Sequence, residues 1–230
     1  MKKILFILAI TLLATEAFAA RKEYKREIVK EFTVGDNPVL SIENKYGNIR
    51  IIEGTNRKIT FKIEIRGEGR TEEAARKYAE SVSVDFSHSG NQVSARTKFE
   101  PLNCNNCGRS VHYIVTAPKS VIPLLENKYG NIYLDNLVQP LIVELKYGDL
   151  FANALNKATI DISYGKATMN KCKNLSIESK YSGIKIDEAG QVVADSKYDN
   201  YRIESVSDFE IETSYTDVRI GKLNKRLTAD

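Results

Sequence analysis

The sequence predicts an all-β chain folded as a β-solenoid (a β-helix) of 17-residue rungs, with one short helix and a hairpin inserted in its N-terminal half. Three observations carry this. Six segments share one template: ENKYGNIYL (126–134), ELKYGDLFA (144–152), DISYGKATM (161–169), ESKYSGIKI (178–186), DSKYDNYRI (195–203) and ETSYTDVRI (212–220). Their tyrosines, Tyr129, Tyr147, Tyr164, Tyr181, Tyr198 and Tyr215, are separated by 18, 17, 17, 17 and 17 residues. Within each unit, apolar residues alternate with polar ones, the period of a strand with one buried face.

Counting from each Tyr, +3 reads Ile132, Leu150, Ala167, Ile184, Tyr201 and Val218, and +5 reads Leu134, Ala152, Met169, Ile186, Ile203 and Ile220. At +8 stand Leu137, Leu155, Cys172, Ala189, Val206 and Leu223. Position +4, between the first two columns, is variable and often charged, as at Lys185, Arg202 and Arg219. A second alternating stretch recurs at +11 to +13, as in Leu175 and Ile177 or Phe209 and Ile211. Each unit therefore reads as two short strands turned by linkers such as Asn170-Lys171, and it cannot bury its apolar face alone. Stacked copies can, because equivalent positions then align one strand spacing apart. A propeller blade needs about 40 residues per repeat. A Greek-key sandwich gives no reason for a constant interval. Arg226 falls at +11 in the last unit, where a charge reads as an edge guard and the C-terminus as a thin cap.

The remaining elements follow in order. Lys2 and Lys3, an apolar run over 4–13, and Ala17-Phe18-Ala19 have the layout of a secretory signal peptide cleaved after Ala19. Residues 1–19 are thus read as a signal, and 20–230 as a single β-solenoid domain with an irregular part (20–119) and regular repeats (120–225). No second apolar stretch of the mature chain is long enough to span a bilayer. Strands are expected at 24–34, 39–43, 49–53 and 58–66, with a turn at Gly35-Asp36-Asn37-Pro38. Residues 71–82 predict a helix, capped by Thr71 with Glu72 and Glu73 in the first turn. A hairpin at 82–88 and 92–99 turns across Ser89-Gly90-Asn91, and 111–117 leads into the array. A seventh copy of the template, ENKYGNIRI (43–51) with Tyr46, places the start of the solenoid before the helix and hairpin, which then cover one end or side of the stack.

Composition narrows function by exclusion. The chain has 230 residues, 28% charged and 42% hydrophobic, with 34 basic against 30 acidic residues and a net charge of +4. That is neither a disordered nor a disulfide-dense composition, and without a basic run it gives no reason to expect nucleic acid as a partner. Phosphate-binding glycine loops, G-x-S-x-G and H-E-x-x-H are all missing, and no metal, cofactor or catalytic residue is expected.

Val115-Thr116-Ala117-Pro118, Leu124 and Gly130-Asn131-Ile132, followed by the G-x-apolar-x-apolar units at Gly148 to Ala152 and Gly165 to Met169, resemble a bacterial β-strand-repeat family. Its members are exported and often labelled putative adhesins, or likened to autotransporter head domains. The resemblance covers roughly 39–66 and 110–223, and it implies a β-solenoid with a non-catalytic envelope role. This sequence departs from the pattern by keeping Tyr in each unit and by replacing Gly with Ser182, Asp199 and Thr216.

Three features are candidates for more than structure. The tyrosine column reads first as a stabilising ladder, since stacked neighbours contribute about 0.2–1 kcal/mol per pair, and second as an aromatic stripe for a glycan or protein partner. An acid stands three residues before each Tyr (Glu43, Glu126, Glu144, Asp161, Glu178, Asp195, Glu212), and Lys usually stands one before it, predicting parallel charged stripes. These read as a solvated face rather than a divalent-cation site. Cys104 and Cys107, in an exported chain, read as a local disulfide, and Cys172 as a core residue. Together these features predict an exported periplasmic or cell-surface protein that presents repeated side-chain stripes to a protein or glycan. A carbohydrate-active β-helix enzyme is the alternative, and an envelope sensor or regulator the third reading.

Overall fold

A computed structural model of the chain describes residues 21–54, 57–103 and 106–230. The signal sequence read at 1–19 lies outside the described residues. The irregular part opens with strands β1 (Lys22–Thr33), β2 (Val39–Lys45), β3 (Ile49–Gly54) and β4 (Lys58–Gly69). Helix α1 (Glu72–Glu80) follows, then β5 (Val82–Ser89), β6 (Gln92–Phe99) and β7 (Gly108–Pro118). The array consists of β8 (Ile122–Lys128), β9 (Ile132–Leu137), β10 (Leu141–Lys146), β11 (Leu150–Ser163), β12 (Lys166–Lys180), β13 (Gly183–Lys197), β14 (Asn200–Ser214) and β15 (Asp217–Ala229). The strands, helix and hairpin expected in the irregular part are all present.

The array is a parallel β-solenoid in which residue i pairs with i+17, as in Leu150↔Ala167↔Ile184↔Tyr201. The +3, +5 and +8 columns point inward and are buried from Ile132 to Val206. The Tyr129 unit has two strands, β9 and β10, but from β11 on each unit is one strand of up to 15 residues rather than two. Pairing merely skips positions +6 and +9, such as Asn170 and Lys173 in β12, so the strand bends there without breaking. The expected two-strand unit is corrected accordingly for β11 to β15: there the one sharp corner falls at Tyr and the residue after it.

Arg226 is a second correction. A register shift between Val206 and Asp208 of β14 and their partners sets Arg226 opposite Asp208 and Leu227 opposite Phe209. Leu227, not Arg226, thus occupies the +11 column, placed there by the bulge and half exposed at the open end of the stack. The far edge of β15 is unpaired among the described residues.

At the other end the chain is not stacked in sequence order. The Tyr46 rung (β2 and β3) lies between β6 and β7 on one side and β8 and β9 on the other. Later sequence therefore encloses an earlier rung. Beyond it, β4 pairs antiparallel with β7, β1 with β4 and β5 with β6, while Phe32, Phe61 and Phe86 pack as a ring cluster between these walls. Helix α1 is capped by Thr71, whose hydroxyl accepts from the Ala74 N–H at 3.1 Å. It lies so close on β4 that a Cβ on Gly67 would sit 2.0 Å from the Ala75 carbonyl oxygen, so only glycine fits there. The insertion closes the N-terminal end of the stack.

Candidate functional site

Seven tyrosines occupy the corner: Tyr46, Tyr129, Tyr147, Tyr164, Tyr181, Tyr198 and Tyr215. All have positive φ, between 51° and 60°. That left-handed conformation costs a bulky residue roughly 1–2 kcal/mol, and it turns the chain so each ring projects outward. The rings stack on successive rungs with centroids 5.0–5.3 Å apart and planes within 10° of parallel. An aromatic pair returns about 0.5–1.5 kcal/mol, so stacking roughly offsets the strain. Backbone pairing continues through the corner, as in Tyr147 N–H to Ser163 C=O and Tyr164 N–H to Lys180 C=O, both 3.0 Å.

The stacking decides what the ladder can bind. Each inner ring has both faces covered by its neighbours, and Phe99 meets Tyr46 edge-on at 5.6 Å. Tyr215, 81% exposed, ends the column with one face open. Elsewhere the ladder presents ring edges and hydroxyls.

Beside it run the two charged rows. Glu43, Glu126, Glu144, Asp161, Glu178, Asp195 and Glu212 pair across successive strands, with the lysines forming a parallel row. Lys146 reaches Glu144 at 2.7 Å and Lys180 reaches Glu178 at 2.8 Å. Burial, together with Glu43 and Glu144, pushes the Glu126 carboxyl above its ordinary pKa; burial, then Glu178 and Glu144, does the same to Asp161. Among the described residues no group of three or more His, Cys, Asp or Glu side chains is arranged to hold a metal. Cys172 is buried and burial pushes its thiol pKa up to about 11, which suits packing and not nucleophilic chemistry. Cys107 is disulfide-bonded; Cys104 lies outside the described residues.

Sequence reasoning missed the wall on the other side of the tyrosine corner. Its +4 row runs Arg50, Tyr133, Phe151, Thr168, Lys185, Arg202, and it continues past Arg50 through Ile114 and Lys62 of the inserted strands. Tyr133 is sandwiched, with the Arg50 guanidinium 4.7 Å from its centroid on one side and Phe151 at 5.2 Å on the other. Asn131 donates from Nδ2 to the Tyr133 hydroxyl oxygen at 3.0 Å, leaving that hydroxyl's own proton for another acceptor. A cleft at the Arg50 end is floored by His112, whose imidazole pKa is lowered by burial and then by Arg66. The signal was visible in part: adjacent aromatics at 133 and 151 interrupt an otherwise charged column. Its extension through Ile114 and Lys62 was not, since it depends on antiparallel pairing of the insertion.

No helix among the described residues is long and apolar enough to cross a membrane. No family model matches the sequence, and no curated protein matches it. Among solved structures, the chain is similar to a putative cell adhesion protein from Clostridium sporogenes, at 13% identity and a TM-score of 0.38, over 90% of this chain and 100% of that one. It is also similar to a putative adhesin from Bacteroides fragilis (11% identity, TM-score 0.34, 89% of this chain and 96% of that one). A putative lipid binding protein from Parabacteroides distasonis is alike at 8% identity and a TM-score of 0.37, over 89% and 96% of the two chains. TM-scores this low carry no argument about what the chain does.

Proposed function

We propose that the chain is an exported, non-catalytic, adhesin-like binding module of a bacterial envelope, which holds a protein or glycan partner along a rigid surface of repeated side chains. One observation carries the reading. Seven large aromatics are held exposed in backbone conformations that a bulky side chain avoids, and strain concentrated along one exposed stripe is a reason to look for function there. The parallel stack beneath is a continuous apolar core, so the stripe is presented without the entropy cost of ordering a flexible surface.

The test is a glycan-array and cell-surface binding screen on the mature chain, repeated with Tyr164→Leu/Tyr181→Leu. Binding that falls in the double variant while the protein stays folded supports the reading. Turnover of any polysaccharide in the panel defeats it in favour of a carbohydrate-active enzyme.

A further inference from the structure

We infer that the wall carrying the +2 and +4 rows is a binding track for a linear acidic polysaccharide, lying along the solenoid axis from Arg50 to Arg202. This deepens the binding-module reading above and rests on it, while moving the site away from the tyrosine ladder.

Three clefts of about 360, 250 and 380 Å³ open on this one wall. They are continuous: Arg50 and Tyr133 line the first and second, and Thr168 lines the second and third. The third is a depression over Gly183, which has no side chain to fill it and lies open enough that a Cβ would meet only Lys166 Cγ, at 3.5 Å. Lys166, Lys185 and Arg202 surround that gap. From Arg50 to Arg202 is five rungs, about 24 Å at ~4.8 Å per strand spacing. A groove of that length suits a polymer rather than a single small molecule.

The charge specifies an anion. Arg50, Lys166 and Arg202 have no carboxylate within 4.0 Å among the described residues, whereas Lys146 and Lys180 of the acidic wall are each held by a glutamate. Lys185 reaches only Asp187, at 3.7 Å. Overall charge nearly balances, yet the clefts of this wall are lined by Arg50, Lys62, Arg66, Lys166, Lys185 and Arg202 against Glu64 and Asp135, and an unpaired cation there can take an anionic oxygen in a charge-assisted hydrogen bond.

The middle of the track specifies a sugar. Phe151 is stacked on Tyr133 at one face, while on its other side the next rung carries only Thr168. That leaves one apolar ring face for the C–H side of a pyranose. Around it lie the Tyr133 hydroxyl and the amides of Asn153 and Asn170, which suit sugar hydroxyls. Single-stranded nucleic acid needs successive open ring faces on which bases stack. Tyr133 has neither face free, so the wall offers one such platform and no series.

Affinity electrophoresis and calorimetry on the full mature chain test this. The probes are polygalacturonate, a sulfated polysaccharide, a neutral glucan and single-stranded DNA of matched charge. Lys185→Glu/Arg202→Glu is compared with Lys157→Glu/Lys173→Glu, which makes the same charge change beyond the bend of the strands. The expected result is binding of a carboxylated or sulfated chain that weakens about tenfold or more in the first double variant, the loss of at least one charge-assisted bond, and that weakens as salt rises. The control variant keeps wild-type affinity and the neutral glucan binds poorly. Phe151→Ala, which leaves charge and backbone untouched, also weakens the acidic polysaccharide. Equal loss in the control variant, equally tight DNA binding, or no acidic polysaccharide bound overturns the proposal. If instead only the tyrosine double variant loses ligand, the binding-module reading survives and the track does not.

Discussion

The corners of the solenoid come in two kinds. In the rungs of Tyr46, Tyr129, Tyr147 and Tyr164 the next residue is Gly, and a Cβ on Gly148 or Gly165 would lie 2.1 or 1.9 Å from the carbonyl oxygen of the preceding corner glycine. In the rungs of Tyr181, Tyr198 and Tyr215 that residue is Ser182, Asp199 or Thr216. Here each side chain accepts from the N–H one rung back: Gly165 to Ser182 Oγ at 3.4 Å, Ser182 to Asp199 Oδ1 at 2.6 Å, Asp199 to Thr216 Oγ1 at 3.3 Å. The inward residue two before Tyr changes in step. It is Asn44, Asn127, Leu145 and Ile162 beside the glycines, and Ser179, Ser196 and Thr213 beside the polar corners. Asn127 donates to the Gly47 and Gly130 carbonyls at 2.9 Å each, closing the first glycine corners from within. Asp199 Oδ2 accepts from Ser179 and Ser196 hydroxyls at 2.7 Å each and from the Lys197 N–H at 3.0 Å. One backbone path is thus satisfied in two ways, and around Asp199 the two columns change together, because a buried polar group left alone is costly; only at the open end does the Thr213 hydroxyl lack a partner among the described residues.

Substitutions that mix the two solutions sharpen the contrast. Asp199→Ala strands several donors at once and is expected to cost about 3 kcal/mol, from about 1–3 kcal/mol per buried group left unsatisfied, measured by urea denaturation. Gly148→Ala forces a methyl onto a carbonyl and should cost about 2 kcal/mol, within the usual range for overpacking. Gly183→Ala, two residues past its Tyr, should be close to neutral in the same assay; equal losses at both sites would refute the close-approach account of the corner glycines. Tyr164→Leu/Tyr181→Leu removes the three stacks joining Tyr147 through Tyr198 and should cost about 1–2 kcal/mol. The smallest non-zero effect lies on the acidic wall. Glu126 has a raised folded-state pKa, so the folded chain holds its proton more tightly and loses stability as pH rises through that value. Glu126→Gln should therefore raise the melting temperature near neutral pH by an amount worth under about 1 kcal/mol, and the gain should vanish near pH 4.

Much of this was legible in the chain. The interval between tyrosines specified the rung, the alternation specified which residues are buried, and Thr71 with Glu72 and Glu73 marked the helix. The left-handed conformation of the tyrosines was not legible, because the usual mark of that conformation is Gly or Asn at the position itself. Here it is carried by a ring that recovers the strain only through neighbours a full rung away. Arg226 was misplaced because a fixed period cannot foresee a bulge. The cationic track was half visible, as Lys185, Arg202 and Arg219 at +4. Its other end needed Arg50 and Ile114 to meet across strands whose order in space differs from their order in sequence.

That difference in order has a consequence for how the molecule comes to be. Strands β11 to β14 join partners 17 residues away, so the array can zip from any point by short-range contacts. The Tyr46 rung must wait, since Glu43 pairs with Arg96 on one side and Glu126 on the other. Closing such distant contacts is slow compared with local ones. A chain emerging with its N-terminus first would hold one edge of β2 and β3 open until residues past 130 had appeared, so the first rung made cannot be enclosed until the array has begun.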